Sequence, residues 1–307
     1  MDLTEEQKKN RIIFANSLIE LQKTQQIDLK TIIFSDESRF VEGDDKQWVW
    51  RRYGDRNPTA QYHSKKFPKS VMIYGSIGHN YKSQIVIVHG SIDSYKYQEN
   101  ILRSGMINDL DSNLGKGSWI FQQDGASSHT SIKTRNWLRS RCRFIQKWPP
   151  NSPDLNPIEN VWGCMKAAVN KLKPKSEEEL ERIIRDVWEN FDQNKINNLV
   201  DSFFQRLQLI LLTNGESIQP HLVHDLHLKQ IIVPNLPSKI LRFNELITEI
   251  SNEPDEQINK GPFSSEENQI IFDKFMQYGP KWSTIARFLP ARTPNQIKQN
   301  FKDNIRK

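Results

Sequence analysis

Three acidic residues occupy positions that are costly for a lone carboxylate. Asp36 closes the apolar run "TIIFSD" on the same strand face as Ile32 and Phe34, and Asp124 closes "SWIFQQD" just before Gly125. Glu159 follows the proline-rich stretch "WPPNSPDLNPI" in the first turn of an amphipathic helix, beside the stripe Ile158, Val161, Trp162, Met165, Val169 and Leu172. A charge sharing a face with buried apolar neighbours has to be compensated. Each residue also has a plain structural use: an Asp at a strand end forms a turn, and Glu159, three residues after an Asn156 N-cap, fits a capping box. A single cause covering all three is a hard divalent cation held by two or three carboxylates, with water and phosphate completing its shell.

The elements that must bring these side chains together are legible in outline. Short β-like runs at 31–36, 47–52, 70–77, 84–90, 118–124 and 143–148 are rich in β-branched and aromatic residues and bounded by polar or glycine-containing turns. Helical patterns cover about 95–112, 130–141, 157–173, 177–190 and 193–212. Strands interleaved with helices predict a mixed α/β layer structure with helices on the sheet faces. Prolines 149, 150, 153 and 157 restrict φ along the whole approach to the glutamate helix, so the loop acts as a stiff spacer that fixes where Glu159 emerges. Trp148 and Trp162 bury its two ends or serve as ordinary core residues. His129, five residues after Asp124, reads either as a proton shuttle or as a cap or phosphate contact at the next helix, and we favour the second.

Composition sets the outer limits. The chain has 307 residues and a formal charge of +6. No stretch approaches the roughly 18 consecutive apolar residues of a membrane span, and the polar, acidic start is unlike a signal peptide, which reads as a soluble intracellular protein without a membrane partner. Cys142 and Cys164 fit neither a disulfide framework nor a metal cluster and read as packing residues. Residues 1–30 read as a helical lead-in, 31–213 as the α/β domain, 214–258 as a linker with one short helix near 238–250, and 259–307 as a second domain. His221, His224 and His227 fall in the linker and lack an acidic or thiol cluster nearby, so they read as a polar face.

The excess charge lies at the C-terminal end. Residues 259–307 hold nine Lys/Arg against four acids, a net of +5 that suggests a polyanionic partner. Phe263, Trp282 and Phe301 are spaced nineteen apart, each in its own helical pattern, and predict a small three-helix core. Ser264 with Glu267, and Thr293 with Pro294, supply the first and third helix starts. Ile297, Phe301 and Ile305 face inward on the last helix, whereas Asn295, Lys298, Gln299 and Lys302 share a different face offering amide and cationic groups.

Two resemblances follow from these motifs. "FSDESRF", "FQQDGASSHTS" and "WPPNSPDLNPIENVWG" resemble the three catalytic motifs of Tc/mariner superfamily transposases, with 34 residues between Asp124 and a final Glu as in the Tc branch. The resemblance covers about residues 10–215. It implies an RNase H-like five-stranded mixed sheet flanked by helices, and a metal-binding catalytic triad of Asp36, Asp124 and Glu159. It further implies two Mg²⁺ or Mn²⁺ ions, cleavage and strand transfer of double-stranded DNA, action in the nucleus, and allows a homodimer on paired DNA ends. The segment "GPFSSEENQIIFDKFMQYGPKWSTIARFLPARTPNQIKQNFKDNI" resembles a single Myb repeat, a small all-α, helix-turn-helix-like unit. That resemblance implies that Asn295, Lys298, Gln299 and Lys302 reach DNA in the major groove. Gln299 stands where the family commonly has Asn, so base preference does not carry over, and related modules bind protein tails instead. Family transposases carry paired helix-turn-helix domains before the core, and here about 30 residues precede Asp36; either the chain is truncated or the Myb-like unit has taken over targeting. The alternative function is a domesticated transposase relic acting as a sequence-specific DNA-binding protein.

Overall fold

The computed structural model describes residues 3–42, 68–90, 92–218, 241–249, 261–289 and 292–305. The chain divides into two compact units, Met1–Ser251 and Asn252–Lys307.

One mixed sheet organises the first unit. Its strands are β1 (Ile32–Val41), β2 (Ser70–Gly78), β3 (Tyr81–Lys82), β4 (Val86–Val88), β5 (Ile120–Gln122), β6 (Arg143–Ile145) and β7 (Ile247–Thr248). β3 and β4 pair with successive stretches of β2, so they occupy one position and the order across the sheet is β3/β4, β2, β1, β5, β6, β7. The β1–β2 pairing is antiparallel, while β1–β5 and β5–β6 are parallel. The five positions that the family resemblance implies are therefore present, and β7 adds an antiparallel edge beside β6.

Alternation along β1 sends Ile32, Phe34 and Phe40 into one apolar layer and Ile33 into the other. The first layer buries the N-terminal helix Glu5–Lys23 and four later helices, Ile158–Leu172, Glu177–Glu189, Gln193–Asp201 and Phe203–Leu212. The N-terminal helix starts from a Thr4–Gln7 capping box. The opposite layer holds Tyr97, Ile101, Leu102, Leu110, Trp137 and Leu138. Among the described residues no helix is long and apolar enough to cross a membrane.

Several expectations change in detail. β1 runs five residues past Asp36, because β2 continues to pair with it through Val41. The pattern at 193–212 breaks into two helices at Ser202, and the one at 95–112 contains Gly105 at φ 125°, outside helical space. Leu172 is exposed, so the buried stripe of the glutamate helix ends at Val169, one turn before Lys173 closes the helix in the left-handed region. Cys142 is buried as expected, whereas Cys164 is exposed on the outer side of that helix. The linker reading does not hold for residues 241–249: Leu241 and Leu246 are buried, Phe243–Leu246 forms a helical turn, and Ile247 pairs with Ile145. The strand expected at 47–52 and the three linker histidines lie outside the described residues.

In the second unit, helices Ser265–Tyr278 and Pro294–Asn300 begin with the Ser264–Glu267 and Thr293–Gln296 capping boxes, with Trp282–Ile285 between them. Ile271, Ile285, Leu289, Ile297 and Phe301 form its core. Phe275 completes the aromatic cluster, 4.1 Å from Phe301 and 5.5 Å from Trp282. Phe263, expected in that cluster, is only partly buried at its edge and lies under the Arg292 guanidinium, 4.0 Å from ring to cation. Ile305 is not described at the side-chain level.

Candidate active site

Asp36 lies where β1 changes neighbours. Its pairing with β5 covers Ile32 to Phe34, while the opposite edge stays paired with β2, so the β5-facing edge opens at the aspartate. Because Phe34 pairs with Gln122, Asp36 and Asp124 each stand two residues beyond matched positions on adjacent parallel strands, which run about 4.8 Å apart.

Glu159 comes from the first turn of the helix Ile158–Leu172, and no side chain caps that helix start. Asn156 is not used as a side-chain cap: its amide Nδ2 donates to Ser35 O at 3.2 Å, and its carbonyl accepts the Glu159 N–H at 3.2 Å. Glu159 is thereby released from capping-box duty, and its carboxylate lies near enough to Asp36 to act on it. Burial, followed by the charge of the neighbouring Glu159, pushes the Asp36 carboxyl up to about 8.

Asp124 is turned differently. Its Oδ1 accepts from Ala126 N at 3.0 Å and from His129 Nδ1, while His129 Nε2 lies 3.1 Å from Glu37 Oε1. Burial opposes ionisation of Asp124, but the His129 and Ala126 hydrogen bonds outweigh it and hold the carboxyl below its ordinary value. Burial likewise disfavours a charged His129, yet its bonds to Asp124 and Glu37 raise it to about 9. With a carboxylate at each ring nitrogen, both nitrogens donate. The imidazole is 3% exposed and lies 4.1 Å from the Tyr97 ring. It is therefore an internal bridge, neither the solvent-facing phosphate contact nor the cap that its sequence position suggested. Glu37 is a site residue that the sequence reading does not single out; strand alternation puts it on the opposite face from Asp36, and it joins the site only through His129.

Asp36 and Glu159 are thus brought together, whereas Asp124 engages His129. Among the described residues no group of three His, Cys, Asp or Glu side chains closes around one point as placed. The donor set nonetheless fits a hard divalent cation. Two neighbouring carboxylates, the buried one displaced far above its ordinary value, form the arrangement whose repulsion such an ion relieves.

The loop and helix bearing Glu159 are held rigidly. Arg11, fully buried on the N-terminal helix, forms a two-pronged pair with Asp154 at 2.8 and 2.6 Å and also donates to Ser152 Oγ and Gly215 O. Arg206 donates to Asp154 O and Asn160 Oδ1. Trp162, one turn past Glu159, stacks on Trp188 with centroids 5.3 Å apart, and Trp148 stacks with Phe203. Both tryptophans are packing residues.

On the second unit, Asn295, Lys298, Gln299 and Lys302 are all exposed on the last helical segment. Gln299 Nε2 donates to Asp303 Oδ2 at 2.8 Å. Arg292, which no sequence pattern marks, is buried in a two-pronged pair with Glu267 at 2.6 and 2.7 Å.

Comparison with known proteins agrees with this architecture. Residues 31–181 match the DDE superfamily endonuclease family and residues 260–304 the Myb-like DNA-binding domain. The Tc1 transposase of Caenorhabditis elegans is 31% identical over 187 residues, covering 60% of this chain and 68% of the relative. Among solved structures, the Mos1 transposase paired-end complex with left transposon end superposes with a TM-score of 0.62 at 17% identity, over 71% of this chain and 65% of that one. The Mos1 catalytic domain with raltegravir and Mn superposes at 0.57 and 16% identity, over 71% of this chain and all of the other. The chain spans about two thirds of the length of Tc1 and of the Mos1 chain in the paired-end complex.

Sheet order, the carboxylates beside β1 and the family match define a DDE endonuclease domain of the RNase H-like kind. The chain belongs to the Tc1/mariner transposases and carries a Myb-like DNA-binding domain at its C-terminal end.

Proposed function

We propose that the protein cleaves and joins double-stranded DNA in the nucleus, with Asp36, Asp124 and Glu159 as its catalytic carboxylates and the Myb-like unit as its targeting module. The observation carrying this reading is that the helix bearing Glu159 packs on β1, the strand of Asp36, with Asn156, three residues before Glu159, hydrogen-bonded to Ser35 O immediately before the aspartate.

Asp36 and Glu159 would hold divalent cations, Mg²⁺ or Mn²⁺, with Asp124 joining them from the adjacent register position. A pair of such ions activates the attacking oxygen and stabilises the leaving one during in-line phosphoryl transfer. In the first step water attacks phosphorus, the new P–O bond forms, the P–O3′ bond breaks, and the departing oxygen ends as a 3′-hydroxyl while the water gives up a proton. In the second, that 3′-hydroxyl attacks a phosphorus of target DNA and displaces a second 3′-oxygen. The protein's part is to orient: Asp124 stays ionised because His129 and the Ala126 N–H hold it, and the Arg11–Asp154 pair anchors the Glu159 loop. Such reactions lose rate steeply when a group is displaced by about an ångström.

Asn295, Lys298, Gln299 and Lys302 are proposed to face the DNA, and synapsis of two ends would use a homodimer. Glu159→Gln tests the reading directly: divalent-dependent nicking of duplex DNA should be abolished while binding of the same DNA is retained. Undiminished nicking would refute the assignment. If wild type binds a specific DNA and nicks none, the relic reading takes its place.

A further inference from the structure

The segments carrying the three carboxylates meet at one buried polar junction. Ser35, immediately before Asp36, donates its Oγ–H to Gln122 O at 2.7 Å, and its N–H goes to Gln122 Oε1 at 3.0 Å. Its carbonyl accepts from Asn156 Nδ2, and the Asn156 carbonyl accepts from Glu159 N. Gln122 precedes Asp124 by two residues and Asn156 precedes Glu159 by three. Each member of the junction is at most 5% exposed.

Stability alone does not account for these side chains. Among the described residues, Gln122 Nε2 and Asn156 Oδ1 are buried without hydrogen-bond partners. A buried, unsatisfied polar atom is destabilising, so each of these amides carries a cost that its single hydrogen bond has to offset. A polar junction at that position is understandable if its directional bonds do something packing cannot, namely set one segment's height against another's. Residues that orient metal ligands without touching the ion commonly change metal affinity by 10- to 100-fold when replaced.

Building on the proposed function, we infer that Ser35, Gln122 and Asn156 are positioning residues whose hydrogen-bonded junction sets the separation of Asp36, Asp124 and Glu159, and with it the affinity for a divalent cation. Asn156 links two of them most directly, because one residue bonds both the backbone before Asp36 and the backbone of Glu159.

The test titrates the full chain with Mn²⁺ alone, reading free Mn²⁺ by electron paramagnetic resonance, beside a thermal melt of each protein. Asn156→Leu keeps the volume and removes the junction; it should melt somewhat earlier, because Ser35 O loses its donor, and bind Mn²⁺ about 10-fold more weakly. Ser35→Ala, a smaller change, should weaken binding several-fold and decides the matter if Asn156→Leu does not fold. Leu110→Ala, which removes buried bulk on the far side of the sheet, should melt earlier and bind Mn²⁺ as wild type does. Affinity within twofold of wild type in folded Asn156→Leu and Ser35→Ala, with Glu159→Gln losing the site, would overturn the inference and leave the proposed function standing. Unaltered Mn²⁺ binding in Glu159→Gln would remove both.

Discussion

Gly75 is the cross-strand partner of Asp36, and a Cβ on it would stand 2.9 Å from Trp162 Cη2. Trp162 lies one turn beyond Glu159, so the absence of a side chain at Gly75 lets the glutamate helix sit close to the strand that bears the aspartate. Trp162 cannot swing aside freely, because Trp188 stacks on it. Gly75→Ala should therefore lift the helix and separate the two carboxylates. The expected outcome is a stability loss of about 1–3 kcal/mol, as for other overpacked cores, measured by urea unfolding. Divalent-dependent nicking should fall further than the folded fraction does.

The Arg11–Asp154 pair ties the N-terminal helix to the loop before Glu159, with Arg11 fully buried and Asp154 only 15% exposed. Removing one member of a buried pair leaves an uncompensated charge, typically a loss of about 3–5 kcal/mol. Arg11→Met should show a loss of that order in urea unfolding. The Arg11→Met, Asp154→Leu double variant should lose clearly less than the two single losses combined, since it leaves no stranded charge at either end. Additive losses would mean that the two residues act independently.

Much of this arrangement is legible in the sequence. The proline-rich loop, the helix after it and the short strands carry strong local chemistry, so their type and order follow from spacing. Local pattern is silent on partners distant in the chain. Asn156 followed by Pro157 reads as an ideal helix start, yet its side chain is spent on Ser35, 121 residues away. His129 reads as a cap or phosphate contact at the next helix, but Glu37, 92 residues earlier on the neighbouring strand, claims its second nitrogen. Ile247 and Thr248 sit in a polar, proline-containing region and become a strand only because β6 offers them an open edge. Arg292 likewise shows nothing in sequence of the Glu267 partner, 25 residues earlier, that buries it.

The Arg292–Glu267 pair gives the second unit a defined acid response. The Arg292 hydrogen bonds, against a smaller effect of burial, hold the Glu267 carboxyl below its ordinary value of 4.5. A carboxylate depressed in the folded state contributes stability that is fully present above its unfolded pKa and is lost as pH falls through the folded one. The second unit should therefore lose stability below about pH 4.5 as Glu267 takes up its proton. Followed through the Trp282 indole resonance of the full chain, thermal stability of this unit should decline as pH falls below the ordinary Glu267 value of 4.5. Glu267→Gln should start less stable at neutral pH and show a flatter decline. An equally steep decline in the variant would place the acid sensitivity elsewhere.

Lys302 and Gln299 occupy one exposed face but should fail in different ways when replaced. A lysine that neutralises a phosphate releases condensed counterions, so its loss weakens binding to every sequence and reduces the slope of log K against log salt by about 0.9. An amide that reads a base edge leaves that slope unchanged and alters discrimination by about 1–3 kcal/mol at one base pair. Gln299 is held by Asp303 in the free protein, so engaging a base requires it to release that carboxylate. Fluorescence anisotropy with a selected duplex, repeated from about 50 to 200 mM salt, separates the cases. Lys302→Ala should flatten the slope and retain the base preference; Gln299→Ala should retain the slope and relax the preference. A slope unchanged by Lys302→Ala would show that this helix face does not meet the DNA backbone.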